Sequence, residues 1–176
     1  MESKRIAAMV FSVISGLVLC DSVSYAADGE IDFTGSVIDT ACTMDIGANN
    51  KMSVTLGNVA KTAFSGPDSR SSATEFDIKL KSCPEITTAS VKFDGVTVPG
   101  NHEVLALTEE TGAATGIGIQ ITDQANKVVA FETATDSYPL VAGDNTLPFY
   151  ASFIQTDAAV VAGTANATAQ FTINYN

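Results

Sequence analysis

The sequence predicts an all-β domain. Three observations carry that prediction. Apolar residues recur at every second position in run after run. Clusters of Gly, Pro, Asn and Asp separate those runs. Beyond residue 26, no stretch of eleven residues repeats its apolar positions at the 3.6-residue spacing of a helix. Short alternating strands parted by turns are the pattern of a β-sandwich or barrel.

The elements follow in order. Residues 1–26 begin with Lys4 and Arg5, continue through fourteen mostly apolar residues from Ile6 to Leu19, and end at Ser24-Tyr25-Ala26 with small residues suited to cleavage after Ala26. This is the layout of a secretory signal peptide. As a helix the apolar run would rise about 21 Å, short of the ~30 Å of a bilayer core, so a retained membrane anchor is disfavoured. Leu17-Val18-Leu19-Cys20 partly resembles a lipoprotein cleavage site, but Leu19 is not the small residue such a site requires. Cleavage would leave 150 residues, from Ala27 to Asn176, and two cysteines, Cys42 and Cys83. In an exported chain these are most simply one disulfide; a metal site built on them would lack further His or Cys ligands nearby.

Next comes Gly29 to Val37, with Ile31, Phe33, Gly35 and Val37 on one face and Glu30, Asp32, Thr34 and Ser36 on the other. Gly35 interrupts the apolar row, as glycine does where another backbone or a bulky group comes close. Met52 to Leu56 alternates as well. In Thr74–Lys81, Phe76, Ile78 and Leu80 oppose Glu75, Asp77, Lys79 and Lys81. Val91 and Phe93 flank Lys92, and Ile117, Ile119 and Ile121 flank Gly118 and Gln120. Leu147 to Gln155 is an aromatic-rich strand. Turns are expected at Gly66-Pro67-Asp68-Ser69, Asp94-Gly95, Pro99-Gly100-Asn101 and Gly143-Asp144-Asn145. The last run, Ala165 to Asn176, alternates without a break: Ala165, Ala167, Ala169, Phe171, Ile173 and Tyr175 define a face for the core.

Composition narrows the function. Hydrophobic residues are 45% of the 176, enough for a core, and charged residues only 16%, too few for a disordered acidic chain. A net charge of −11 argues against nucleic acid and anionic lipid as partners. There is no Trp and one His. His102 reads as a solvated loop residue and Glu109-Glu110 as a solvated acidic pair. Gly116-Ile117-Gly118 lacks the third glycine and the helix of a phosphate loop, and Ser71-Ser72 lacks a nucleophile elbow. Asn166-Ala167-Thr168 matches a glycosylation sequon but falls in an expected strand. No catalytic constellation and no cofactor or metal site emerges.

Together, the signal, the N-terminal arm Ile31-Asp32-Phe33-Thr34-Gly35-Ser36-Val37 leading to Cys42, the cysteine pair, Gly163 fourteenth from the end and the penultimate Tyr175 resemble the pilin subunits of chaperone–usher fimbriae, the type 1 and P-type pili. The resemblance spans the whole mature chain. It implies an incomplete immunoglobulin-like sandwich that lacks its final strand and is completed by a donor strand from a neighbouring molecule. On that resemblance, residues 1–26 are the signal peptide, 27–41 the donor arm with Ile31, Phe33, Gly35 and Val37 as its inserted face, and 42–176 the pilin domain. Gly163, Ala167, Ala169, Phe171, Ile173 and Tyr175 would line the acceptor strand. The implied partners are neighbouring pilin subunits joined head to tail, a periplasmic chaperone and an outer-membrane usher; the implied destination is a fimbria on the cell surface. A minor adaptor or adhesive subunit, or a self-contained periplasmic β-sandwich that binds a ligand, are the alternative readings.

Overall fold

A computed structural model describes residues 42–47, 51–85 and 88–176, all within the unit Ile38–Asn176. The signal peptide and the arm, including Ile31, Phe33, Gly35 and Val37, lie outside the described residues. Nine strands occur among the described residues: β1 (Thr43–Met44), β2 (Thr74–Cys83), β3 (Thr88–Asp94), β4 (Thr97–Val98), β5 (Asn101–Leu105), β6 (Ile117–Asp123), β7 (Tyr138–Pro139), β8 (Gly143–Gln155) and β9 (Gln170–Tyr175). The helical content of the described residues is one 3-10 turn, Lys61–Ala63. The strands form a six-stranded sheet in the order β1-β2-β8-β6-β5-β4 and a three-stranded sheet in the order β7-β3-β9. Every strand pair is antiparallel.

The alternation seen in the sequence builds the interior. Phe76, Ile78 and Leu80 of β2 stand opposite Phe149, Leu147 and Asn145 of β8. Ala89, Val91 and Phe93 of β3 are buried against them from the other sheet. Aromatic rings join the layers: Phe149 meets Phe93 edge-on at 5.1 Å, stacks on Phe76 at 5.8 Å and touches Tyr138 at 5.8 Å. These distances fall in the range where ring pairs stabilise beyond their buried area. Cys42 and Cys83 are joined, 41 positions apart in sequence. Closing a loop of that length is worth about 4 kcal/mol in a chain-entropy description. Next to the bridge, Ser82 takes a φ of +52° in a bulge of β2, and Asp144 accepts from both the Ser82 N–H and the Lys81 ammonium. The Lys81 partner holds the Asp144 carboxyl below its usual range.

Several expectations need correction. The last strand starts at Gln170, not Ala165. Residues 165–169 bond to no ladder, because this stretch is held by the loop before β6 rather than by β3. Ala169 is exposed rather than core-facing, and Gly163 and Ala167 precede the strand. Met52–Leu56 alternates but pairs with no strand among the described residues. Gly143-Asp144-Asn145 opens β8 instead of turning, since β2 runs far enough to pair with it. His102 sits on β5, 4.0 Å from Glu132, not in a loop. On β6 both faces are covered: Ile117 and Ile119 are half-buried, while Gly118, Gln120 and Thr122 behind them are buried.

Phe149 lies at the centre of the ring cluster and is fully buried. Phe149→Ala is expected to lower unfolding free energy by about 3–5 kcal/mol in urea titration; a loss under 1 kcal/mol would mean that the rings do not anchor the layers. Burial, joined by Asp123 and Asp136, pushes the Tyr138 phenol up to about 12 from 10.0. The folded state thus favours the protonated phenol. That stabilisation is complete below pH 10 and is lost as pH climbs towards about 12. The thermal midpoint is expected to fall over that window, and to fall less in Tyr138→Phe; identical falls would assign the effect to another group.

Candidate functional site

β9 is the last strand and lies at the edge of the three-stranded sheet. Its pairing with β3 fixes where its backbone groups point. Thr88 and Asn176 exchange N–H···O bonds of 3.1 and 2.9 Å. In an antiparallel ladder hydrogen-bonded pairs alternate with non-bonded ones. The register therefore directs the backbone of Gln170, Thr172 and Asn174 at β3, and that of Phe171, Ile173 and Tyr175 at the other edge. Among the described residues no strand pairs with that edge.

The side chains tell the same story. Phe93, Val91 and Ala89 of β3 are 3%, 0% and 0% exposed. Their cross-strand partners Phe171, Ile173 and Tyr175, on the same face of the same ladder, are only half-buried. Both sets pack on one core, so the difference lies in the cover on the far side of β9. Partial burial already pushes the Tyr175 phenol above its ordinary value.

A groove of about 730 Å³ lies against the segment that leads into β9. Val54, Leu56 and Val59 form one wall, Ile117, Ile119 and Phe153 the floor, and Gly163 to Ala167 the opposite lip. Leu56 and Val59 are half-buried and Val54 is 36% exposed. Of the sequence-predicted acceptor residues, Phe171, Ile173 and Tyr175 come together on β9, whereas Gly163 and Ala167 belong to the lip. Ala169 lines neither. The Val54–Val59 wall was missed as part of a site. Its alternation was visible, but its position across from the chain end was not.

Gly163 has a steric role. A Cβ there would fall 2.5 Å from Ala113 C and Ala114 N, and nearer still to Gly112 O. All three are backbone atoms, so the lip can approach the 112–114 loop this closely only with glycine. The remaining candidates are structural. Ser71 Oγ accepts from Phe153 N at 3.0 Å and donates to Ser72 O. Asn166 is exposed and lies off the strand, with its amide donating to Glu110. No group of three His, Cys, Asp or Glu suited to a metal occurs among the described residues.

A strand edge left unpaired among the described residues, with half-buried apolar side chains along it, defines a protein built to receive a strand. Comparison with known proteins agrees in detail. A model of the family described as fimbrial protein matches residues 31–176. The probable major fimbrial subunit LpfA of Escherichia coli O157:H7 is 34% identical over 171 residues, covering 94% of this chain and 96% of that protein. A subunit from a structure of a chaperone-usher pilus, solved in connection with rod uncoiling, superposes with a TM-score of 0.67 at 25% identity, covering 85% and 96% of the two chains. The P pilus rod subunit PapA gives 0.65 at 25% identity, covering 78% and 100%. The chain belongs to the fimbrial protein family. It is a structural pilin with an incomplete immunoglobulin-like sandwich, not an enzyme, and it assembles with other pilin subunits at the cell surface.

Gly163→Ala is expected to push the lip off the 112–114 backbone. The cost should be about 1–3 kcal/mol of stability, typical of overpacking, with amide shifts in NMR spectra concentrated at residues 112–114 and 161–167. Wild-type stability and an unchanged spectrum would remove Gly163 from the groove's construction.

Proposed function

We propose that this chain is a shaft-forming subunit whose residues 27–41, freed by removal of residues 1–26, insert beside β9 of the next copy. The observation that carries the reading is the outward backbone of Phe171, Ile173 and Tyr175 next to their half-covered side chains. An added strand would satisfy both needs together: it pairs the backbone and finishes the burial.

The arm has suitable chemistry. Ile31, Phe33 and Val37 recur at even spacing, and burying each contributes about 1.5–3 kcal/mol. Glu30, Asp32, Thr34 and Ser36 would stay on the wet face. Gly35 would let the arm cross a point where an acceptor side chain fills the space. The arm ends just before Cys42, which is bonded to the end of β2, so donor and acceptor are different segments of the chain. Such a head-to-tail contact grows into an open filament. The name of the O157:H7 relative, a probable major subunit, and that of PapA, a rod subunit, support the shaft role over a minor one.

The same groove would be a hazard before assembly, because bare strand edges with apolar flanks aggregate. A periplasmic chaperone that lends a strand during transit, and an outer-membrane usher where the arm replaces it, are the partners this hazard calls for. Gly35→Leu is expected to abolish fibres seen by electron microscopy on cells that make the chain with its chaperone and usher, while the subunit still reaches the periplasm folded and disulfide-bonded. Fibres at wild-type yield would refute the arm assignment.

A further inference from the structure

The groove's lip, Gly163 to Ala167, includes no strand of its own. It is clasped by the loop between β5 and β6. Thr108 N donates to Asn166 O at 2.7 Å, Ala114 N to Thr164 O at 2.8 Å, and Thr164 N to Gly112 O at 3.0 Å. Over this backbone clasp lies a side-chain one. Glu110 Oε1 accepts from Thr164 Oγ at 2.7 Å and from Asn166 Nδ2 at 3.2 Å. A single carboxylate oxygen thereby ties down the residues on either side of Ala165, which lines the groove.

We propose that Glu110 is a positioning residue that holds the acceptor lip in its receptive place and so sets how fast a donor strand is taken up. This rests on the strand-donation reading. Glu110, Thr164 and Asn166 are all exposed, and none belongs to the core or to the β3–β9 ladder. Their bonds therefore add little to the stability of the body, but they restrict the segment that a donor must meet. A site already in its bound shape loses less freedom on binding. The carboxylate acts here as an acceptor and not as a charge. The arm is itself acidic, with Asp28, Glu30, Asp32 and Asp39 and no basic residue, so the negative charge works against uptake while the hydrogen bonds favour it.

The two roles separate by substitution. Glu110→Gln keeps an oxygen that can accept from both donors; Glu110→Ala removes it. The assay follows uptake of a labelled peptide of residues 27–41 by monomers of the full mature chain freshly released from fimbriae. Glu110→Ala is expected to slow uptake about five- to ten-fold, as the loss of an ordinary hydrogen bond would. Glu110→Gln should match wild type or exceed it. The lip-side double variant, Thr164→Val with Asn166→Ala, should reproduce the slowing from the other partner. Wild-type uptake by Glu110→Ala, equal slowing by Gln and Ala, or an unaffected double variant would each overturn the positioning role. A wild-type monomer that ignores the peptide altogether would instead remove the strand-donation reading beneath it.

Discussion

The backbone of β9 can bond on two sides, and the body serves one of them. Even-numbered residues exchange hydrogen bonds with β3, and Phe171, Ile173 and Tyr175 direct theirs to the opposite edge. Backbone donors and acceptors next to apolar surface need partners of matching regularity, because water cannot both pair them and leave the neighbouring side chains dry. The rest of the molecule follows from this constraint. A strand edge that is apolar and regular selects an extended, alternating segment as its complement and little else. It also explains how an acidic chain with no catalytic constellation among its residues has a function at all: its activity is to be incomplete.

The fold keeps that edge available without collapsing onto it. The Phe76, Phe93, Phe149 and Tyr138 rings lock the two sheets together behind β9, so the layers do not close over the gap. Phe171 reaches this cluster through Phe93 at 6.3 Å, which ties the open edge of β9 to the centre of the core. Gly163 and the 108–116 loop fasten the lip from outside. The Cys42–Cys83 bridge fixes the point where the body begins to the end of β2, one sheet away from the receiving edge. Rigid walls matter because a groove that had to be organised on arrival would spend the gain from burial on its own ordering.

Much of this was legible in the sequence wherever one strand's alternation meets a single buried face. β2, β3, β6 and β8 all lie within or around the expected runs, and Phe171, Ile173 and Tyr175 fall on one face as their spacing requires. What failed was governed by partners distant in the chain. Residues 165–169 alternate as well as 170–175 do, yet they are drawn away from β3 by Thr108 and the loop behind it. Met52–Leu56 has a strand's pattern but no ladder partner among the described residues, and its residues line grooves instead. β1, β4, β5 and β7 went unmarked; three of them are only two residues long, and β5 begins with three exposed residues that give no alternation. Glu110 looked like half of a solvated acidic pair, and only its contact with Thr164, 54 residues further on, makes it part of the site.

Amide hydrogen exchange, resolved by residue along β9, addresses the missing strand most directly. In the monomer, the N–H groups of Thr172 and Asn174 should exchange slowly, being bonded to β3, while those of Phe171, Ile173 and Tyr175 exchange quickly; in assembled fimbriae all five should be protected. Equal protection of both sets in the monomer would mean that the far edge of β9 is already paired, and the account of a body awaiting a strand from another molecule would be wrong.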